Sequence, residues 1–210
     1  MFDLSQHLAK AKYLPDLTPD VGYSIRPTLF YGKFSKASPN DMRDQTVAFY
    51  TPPYVKKWLA LTLDAERREK DLLRYYTEVL RAAKQHRQDL MHLSSYFGLQ
   101  PVLRSKGRTL IAFSWPESYA GAAGFLRAAQ APEPAASLYG DIDQGWQFEM
   151  YAEGNKLYVA DGSDDDDRPD VVYYTDRDHF AKLAADALNR LQKQVALFVR
   201  ETGQNPWKYG

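Results

Sequence analysis

The feature that most constrains this chain is an apolar stripe in its middle. Leu72, Tyr76, Val79, Ala83, His86, Leu90, Leu93 and Phe97 recur at alternating spacings of four and three. That period puts them all on one face of an α-helix, and a stripe of this kind has to be covered by other structure. The spacing predicts one long helix over 64–97. The opposite face carries Glu66–Lys70, Arg67–Asp71 and Arg74–Glu78 four apart, the arrangement of a solvated face. Asp64 stands where it can cap the start, Gly98 sits where a helix end favours a left-handed residue, and Pro101 prevents resumption.

What covers the stripe is read from the flanking segments. Residues 2–14 carry Leu4, Leu8 and Ala11 on one stripe and predict a short helix ended by Pro15 and Pro19. Val21 to Ile25, Leu29 to Phe34 and Thr46 to Tyr50 have the composition of short strands, with Asp41-Met42-Arg43-Asp44 as a turn. Thr51-Pro52-Pro53 suits a helix start, since proline fits a first turn. Leu59, Leu61 and Leu63 alternate as in a strand, while Tyr54, Trp58 and Leu61 fit a helix, and both readings stand. Residues 102–113 predict a β-hairpin about Ser105-Lys106-Gly107, and Trp115-Pro116-Glu117 opens a short helix through Gln130.

In the C-terminal part, Trp146, Phe148 and Met150 alternate with polar residues, Gly154-Asn155 makes a turn, and Leu157 and Val159 alternate again: a hairpin over 146–160. Val171 to Tyr174 is a third strand. Thr175-Asp176 caps a final helix over 176–202, with Phe180, Leu183, Ala184, Ala187, Leu191, Val195 and Phe198 as its buried stripe, and Gly203 ends it. Trp207 is placed to pack the tail down. The expected fold is α+β, an antiparallel sheet of about five to seven short strands packed against the long central helix and the long C-terminal helix. The chain reads as a single domain, 1–210, in which the Ala/Pro-rich segment 131–136 can divide two lobes, 1–130 and 137–210.

Composition excludes several functions. Lysine plus arginine and aspartate plus glutamate both number 27, so the basic excess of a nucleic-acid binder is missing. The cations along the central helix and just before it (among them Lys56, Lys57, Arg67, Arg74 and Arg87) are interleaved with acids and read as a solvated face. With no cysteine there is no disulfide, thiolate nucleophile or cysteine-bound zinc. No apolar run approaches the roughly 18 residues that span a bilayer, and Met1 to Leu8 has neither the basic region nor the apolar core of a secretory signal. No membrane partner is expected, and the cytoplasm is the simplest location.

Motifs that carry chemistry are absent. There is no phosphate-binding loop, Gly121-Ala122-Ala123-Gly124 lacks a dinucleotide fingerprint's spacing, and Gly-x-Ser-x-Gly and His-Glu-x-x-His do not occur. His86 and His92 lie six apart on different helical faces and cannot share a metal, although Asp89 stands where it could orient His92. No catalytic residue, cofactor or metal site is expected. Six aspartates fall within Asp161-Gly162-Ser163-Asp164-Asp165-Asp166-Asp167-Arg168-Pro169-Asp170. The run has three readings: a solvated loop whose like charges repel, an acidic contact for a basic partner, or a calcium site, which would lack the EF-hand glycine and glutamate. The contact reading makes Asp161, Asp164, Asp165, Asp166 and Asp167 partner-binding residues, with Tyr173 as an aromatic beside them. The 15 tyrosines suit contact surfaces.

Trp146-Gln147-Phe148, the Gly154-Asn155-Lys156-Leu157-Tyr158-Val159 turn, Asp161-Gly162 with its acidic loop, Thr175-Asp176-Arg177-Asp178 opening a long helix, and a late Trp207 form a sequence of signals over the last third of the chain. That third resembles the C-terminal part of small cytosolic immunity proteins that accompany bacterial polymorphic and type VI secreted toxins. The resemblance implies a non-enzymatic inhibitor that binds a cognate toxin and occludes its active site or locks it in an inactive shape. An enzyme of hydrolase type, with residues gathered from separate elements, and a structural or adaptor protein of a phage or secretion assembly are the alternatives.

Overall fold

The computed structural model describes residues 2, 7–32, 45–132, 135–143, 145–166 and 168–209. In chain order the strands are β1 Lys12–Tyr13, β2 Thr18–Ser24, β3 Thr28–Phe30, β4 Thr46–Ala48, β5 Leu59–Leu61, β6 Leu99–Ser105, β7 Arg108–Ala112, β8 Ala135–Asp143, β9 Trp146–Glu153, β10 Lys156–Gly162 and β11 Val171–Asp176. The helices are α1 Thr62–Ala65, α2 Glu69–Gln85, α3 Tyr119–Ala128 and α4 Arg177–Thr202. The fold is α+β, with the central helix and the long C-terminal helix both present. The single expected sheet is instead two: a five-stranded sheet in the order β1-β11-β10-β9-β8 and a four-stranded sheet in the order β5-β2-β6-β7, with β3 and β4 as a separate ribbon. Pairing is antiparallel except between β1 and β11.

α4 joins the two sheets. Its Phe198 meets Tyr23 of β2 edge-on at 5.8 Å, and its Gln194 accepts the Tyr23 hydroxyl at 3.1 Å. Tyr23, Tyr76, Phe97, Phe198 and Trp207 stack into one aromatic group, and Phe113, Phe125 and Phe148 form another beneath α3, all within one buried cluster. Trp207 is 5% exposed, as its expected packing role requires. Among the described residues no helix is long and apolar enough to cross a membrane.

Several local expectations need correction. The helix over 64–97 is three pieces: α1, α2 and a 3-10 segment at Leu90–Tyr96. The stripe residues are nonetheless all wholly or partly buried. The breaks fall at Arg67 and Arg87, whose φ values of 65° and 52° are left-handed. Asp89 then starts the 3-10 segment by accepting the Met91 N–H at 2.9 Å, and His92 is exposed. Asp64 lies inside α1 and caps nothing; the distant Asp20 carboxylate accepts the Thr62 hydroxyl and the Leu63 N–H instead. Of the three expected i,i+4 pairs, Arg74–Glu78 forms an ion pair, at 3.2 Å, while Asp71 accepts the Tyr50 hydroxyl.

The N-terminal helix over 2–14 is, in its described part, a 3-10 turn at Leu8–Lys10 followed by β1. Pro19 does not end a helix but sits in β2 opposite Leu103; β5 reaches only Gly22 to Ser24, so no neighbour on that side requires the missing N–H. Thr51-Pro52-Pro53 leads to a tight turn and β5, so the strand reading of Leu59 and Leu61 holds. α3 starts at Tyr119 with Ser118 as its cap, its hydroxyl accepting the Gly121 N–H at 3.0 Å, rather than at Trp115. The turn at 41–44 and residue Asp167 lie outside the described residues. Ala135 and Ala136 open β8, a strand that the composition of 131–136 conceals.

Candidate functional site

The acidic run connects β10 to β11, and the carboxylates of Asp161, Asp164 and Asp166 accept from local donors. Asp161 is half-buried and accepts the Trp146 Nε1–H at 2.5 Å. Burial pushes its carboxyl up, the Trp146 bond opposes this, and the nearby Asp170 charge adds to it. Asp164 is exposed and accepts the Gly145 N–H at 3.3 Å. The Asp165 N–H donates to Ser163 Oγ at 3.2 Å. Asp166 accepts the Arg168 N–H at 3.0 Å, which with the Arg168 guanidinium holds its carboxyl below the usual range. These contacts form a tight loop whose exposed carboxylate faces point to solvent. Among the described residues no group of three His, Cys, Asp or Glu side chains is placed to hold a metal ion. Tyr173 is not with the loop: it lies opposite Val159 on β10, partly buried and packed against the core.

Strand register brings other acids to the same end of the molecule. Phe148 on β9 is paired with Asp141 of β8 on one side and Asp161 of β10 on the other. Directly opposed residues of antiparallel strands project from one face, so the two carboxylates flank a fully buried phenylalanine about 10 Å apart. One step on, Asp143 lies opposite Trp146. Trp146 stacks on Phe148 with 6.1 Å between centroids and meets Phe113 at 5.0 Å. The core face of the five-stranded sheet therefore runs outward from phenylalanines through Trp146 into carboxylates.

Glu117 completes this rim from the other sheet. A β-bridge to Leu99 fixes its backbone, with N–H to O distances of 2.9 and 2.6 Å. Gly121 packs directly beneath it, so that a Cβ there would push the Glu117 carboxylate aside. Burial pushes the Glu117 carboxyl up, and the Asp141 and Asp143 charges add to the shift; Asp141 is raised by burial and by Asp143. The Asp141 and Asp143 charges thus act on Glu117 from the neighbouring strand end. Beside them Trp115 is 44% exposed, on a cleft of about 360 Å³ shared with Glu117 and Trp207. Ile142 is 55% exposed at the tip of β8.

The sequence run thus marked one edge of a larger acidic face and missed the rest. Asp141 and Asp143 alternate on one strand, the local signal available, whereas Glu117 comes from a distant bridged loop and Asp161 from β10, which only the fold brings to the same end. A rim of carboxylates around tryptophans can dock a basic, partly apolar surface. Chemistry of hydrolase type finds less support: no histidine lines the cleft beside Glu117, and His86 is stacked on Tyr31 at 3.7 Å. No family model, no curated protein and no solved structure matches this chain.

Proposed function

We propose that the chain is a non-catalytic inhibitor of immunity type, which binds a cognate protein toxin through the acidic face and covers that toxin's active site. The observation that carries the reading is the grouping of Asp141, Asp143 and Asp161 on the paired strands around Phe148 and Trp146, with Glu117 alongside on the cleft of the exposed Trp115. Three of these carboxylates sit on paired strands and the fourth on a bridged loop, so the face is set before binding and little ordering is needed on contact. Spaced anionic groups on a rigid frame resemble the charge pattern of a phosphate backbone. Such a surface fits a basic cleft that handles nucleic acid or nucleotide, and the aromatic side chains supply the apolar anchors that carbon-poor phosphate lacks. The acidic loop, with Asp164 to Asp166 pointing outward, extends the same field.

The test is direct. The product of the open reading frame next to this gene is expressed, and its toxicity and its binding to the purified protein are measured. The expected result is a one-to-one complex that suppresses toxicity. Substituting Glu117→Gln, Asp141→Asn and Asp143→Asn together should weaken the complex by about 2 kcal/mol or more. A non-toxic neighbour, or a toxin that neither binds nor is neutralised, sinks the reading.

A further inference from the structure

The four-stranded sheet has a second face. Tyr23 of β2 points to α4, and successive strand side chains alternate, so Gly22 points the other way, together with its partners Leu61 and Gln100. A Cβ at Gly22 would press on Leu59 and Leu61, so glycine keeps the floor of this face low. A cleft of about 490 Å³ lies here, within the range of small-molecule sites. Leu59, Leu61 and Leu110 give it apolar walls, and Lys56, Lys57, Arg104 and Arg108 line it, against Asp64 as the single carboxylate among the lining residues.

Three of these cations are not spent on the fold. Lys56, Lys57 and Arg108 make no side-chain ion pair or hydrogen bond among the described residues. Arg104 is shared with Asp20 at 3.9 Å. The turn that carries two of the groups is built against its own preference. Lys56 and Leu59 exchange backbone hydrogen bonds at 2.9 and 3.0 Å, and both residues between them, Lys57 and Trp58, are left-handed with φ values of 49° and 65°. Such two-residue turns favour asparagine and glycine. Here they hold a lysine at the cleft and a tryptophan that is 61% exposed. A second cleft of about 380 Å³ adjoins the first through Lys57 and Leu59 and is lined by Trp58, Gln100 and Pro116.

We infer that this groove is a binding site for a small phosphate-bearing ligand with a flat body, such as a nucleoside polyphosphate. Three unpaired cations around one cleft call for a polyvalent head rather than a single carboxylate, and guanidinium and ammonium groups both suit phosphate oxygens. The flat body lies beside Trp58, where stacking is available to any planar ring. The cations of the site are not among the acidic-face residues, although the adjoining cleft borders the Trp115–Glu117 cleft through Arg26 and Pro116, and the inference does not rest on the toxin reading.

Calorimetric titration of the full chain at low ionic strength tests it, with ATP, pyrophosphate and citrate as probes. ATP is expected to saturate one site per chain, with pyrophosphate and citrate each weaker by about tenfold or more. Lys57→Glu with Arg108→Glu should weaken ATP by at least about tenfold. Trp58→Gly relieves the strained turn, so it folds, and should bring ATP to the level of pyrophosphate. Thermal melts confirm that each variant is folded. The inference is overturned if ATP shows no saturable binding, if folded Lys57→Glu/Arg108→Glu binds it unchanged, or if citrate or pyrophosphate binds as tightly as ATP.

Discussion

Asp20 is 1% exposed, and its carboxylate lies 3.6 Å from Arg190 and 3.9 Å from Arg104 while accepting the Val21 N–H at 2.9 Å and the Thr62 hydroxyl. Burial pushes this carboxyl up, and the Thr62 and Val21 bonds and the Arg190 charge pull against it. The network is incompletely satisfied, since the Nε atoms of Arg104 and Arg190 are buried without partners. Its function in the fold is to tie β2, α1, β6 and α4 at one point. Asp20→Ala leaves two guanidinium groups, 14% and 18% exposed, without their counter-charge. It should cost about 3–5 kcal/mol in urea unfolding. Asp20→Asn, which can still accept from Thr62 and Leu63, should cost distinctly less. Equal losses for the two would assign the effect to charge and not to hydrogen bonding, because both variants lose the counter-charge and only Asp20→Ala loses the acceptor. Nothing around residue 20 in the sequence separates this aspartate from a surface one. It follows a proline just ahead of the expected first strand, and only the folded chain supplies its partners.

The elements legible in the sequence are those whose ends are encoded next to them. α4 is the clearest: Asp176 accepts the His179 N–H at 2.8 Å, and Gly203 closes the last turn with φ 68° and its N–H on Val199 at 2.9 Å. Asp176→Ala and Gly203→Ala should each cost about 1 kcal/mol, and the double variant about 2, because the ends are far apart and share no partner. A sum well below this would mean that α4 is held by its packing alone. The β6–β7 and β9–β10 hairpins were legible for the same reason, through Lys106-Gly107 and Gly154-Asn155. By contrast, the breaks on either side of α2 use left-handed arginines, Arg67 and Arg87, which no residue preference marks. The start of α1 is capped from Asp20, more than forty positions away. β8 was hidden behind a Pro-Glu-Pro segment, and with it Asp141 and Asp143, so the half of the acidic face that depends on β8 could not be seen. The half on the 161–170 loop was visible as a run of one residue type.

At the scale of the molecule, a formal net charge of zero conceals two surfaces of opposite sign. Glu117, Asp141, Asp143 and the exposed Asp164 lie at one end of the five-stranded sheet, and Lys56, Lys57 and Arg108 lie on the open face of the four-stranded one. Beyond a Debye length of about 8 Å at physiological salt the two fields are screened. Each therefore acts only on a partner already close to its own side. For the toxin partner this makes a kinetic prediction. Amide substitution of Glu117, Asp141, Asp143 and Asp164 should lower the association rate by about tenfold at low salt and by little at high salt, because steering is lost while the docked contacts around Trp146 remain. Asp161 is left unchanged in that variant, since its bond to Trp146 positions the ring. Lys57→Glu with Arg108→Glu should leave the association rate unchanged at physiological salt, as those groups belong to the other surface. Stopped-flow mixing over a range of salt concentrations reads both. If the groove variant abolishes association while the acidic-face variant does not, the toxin sits on the four-stranded sheet, and the assignment of the acidic face fails.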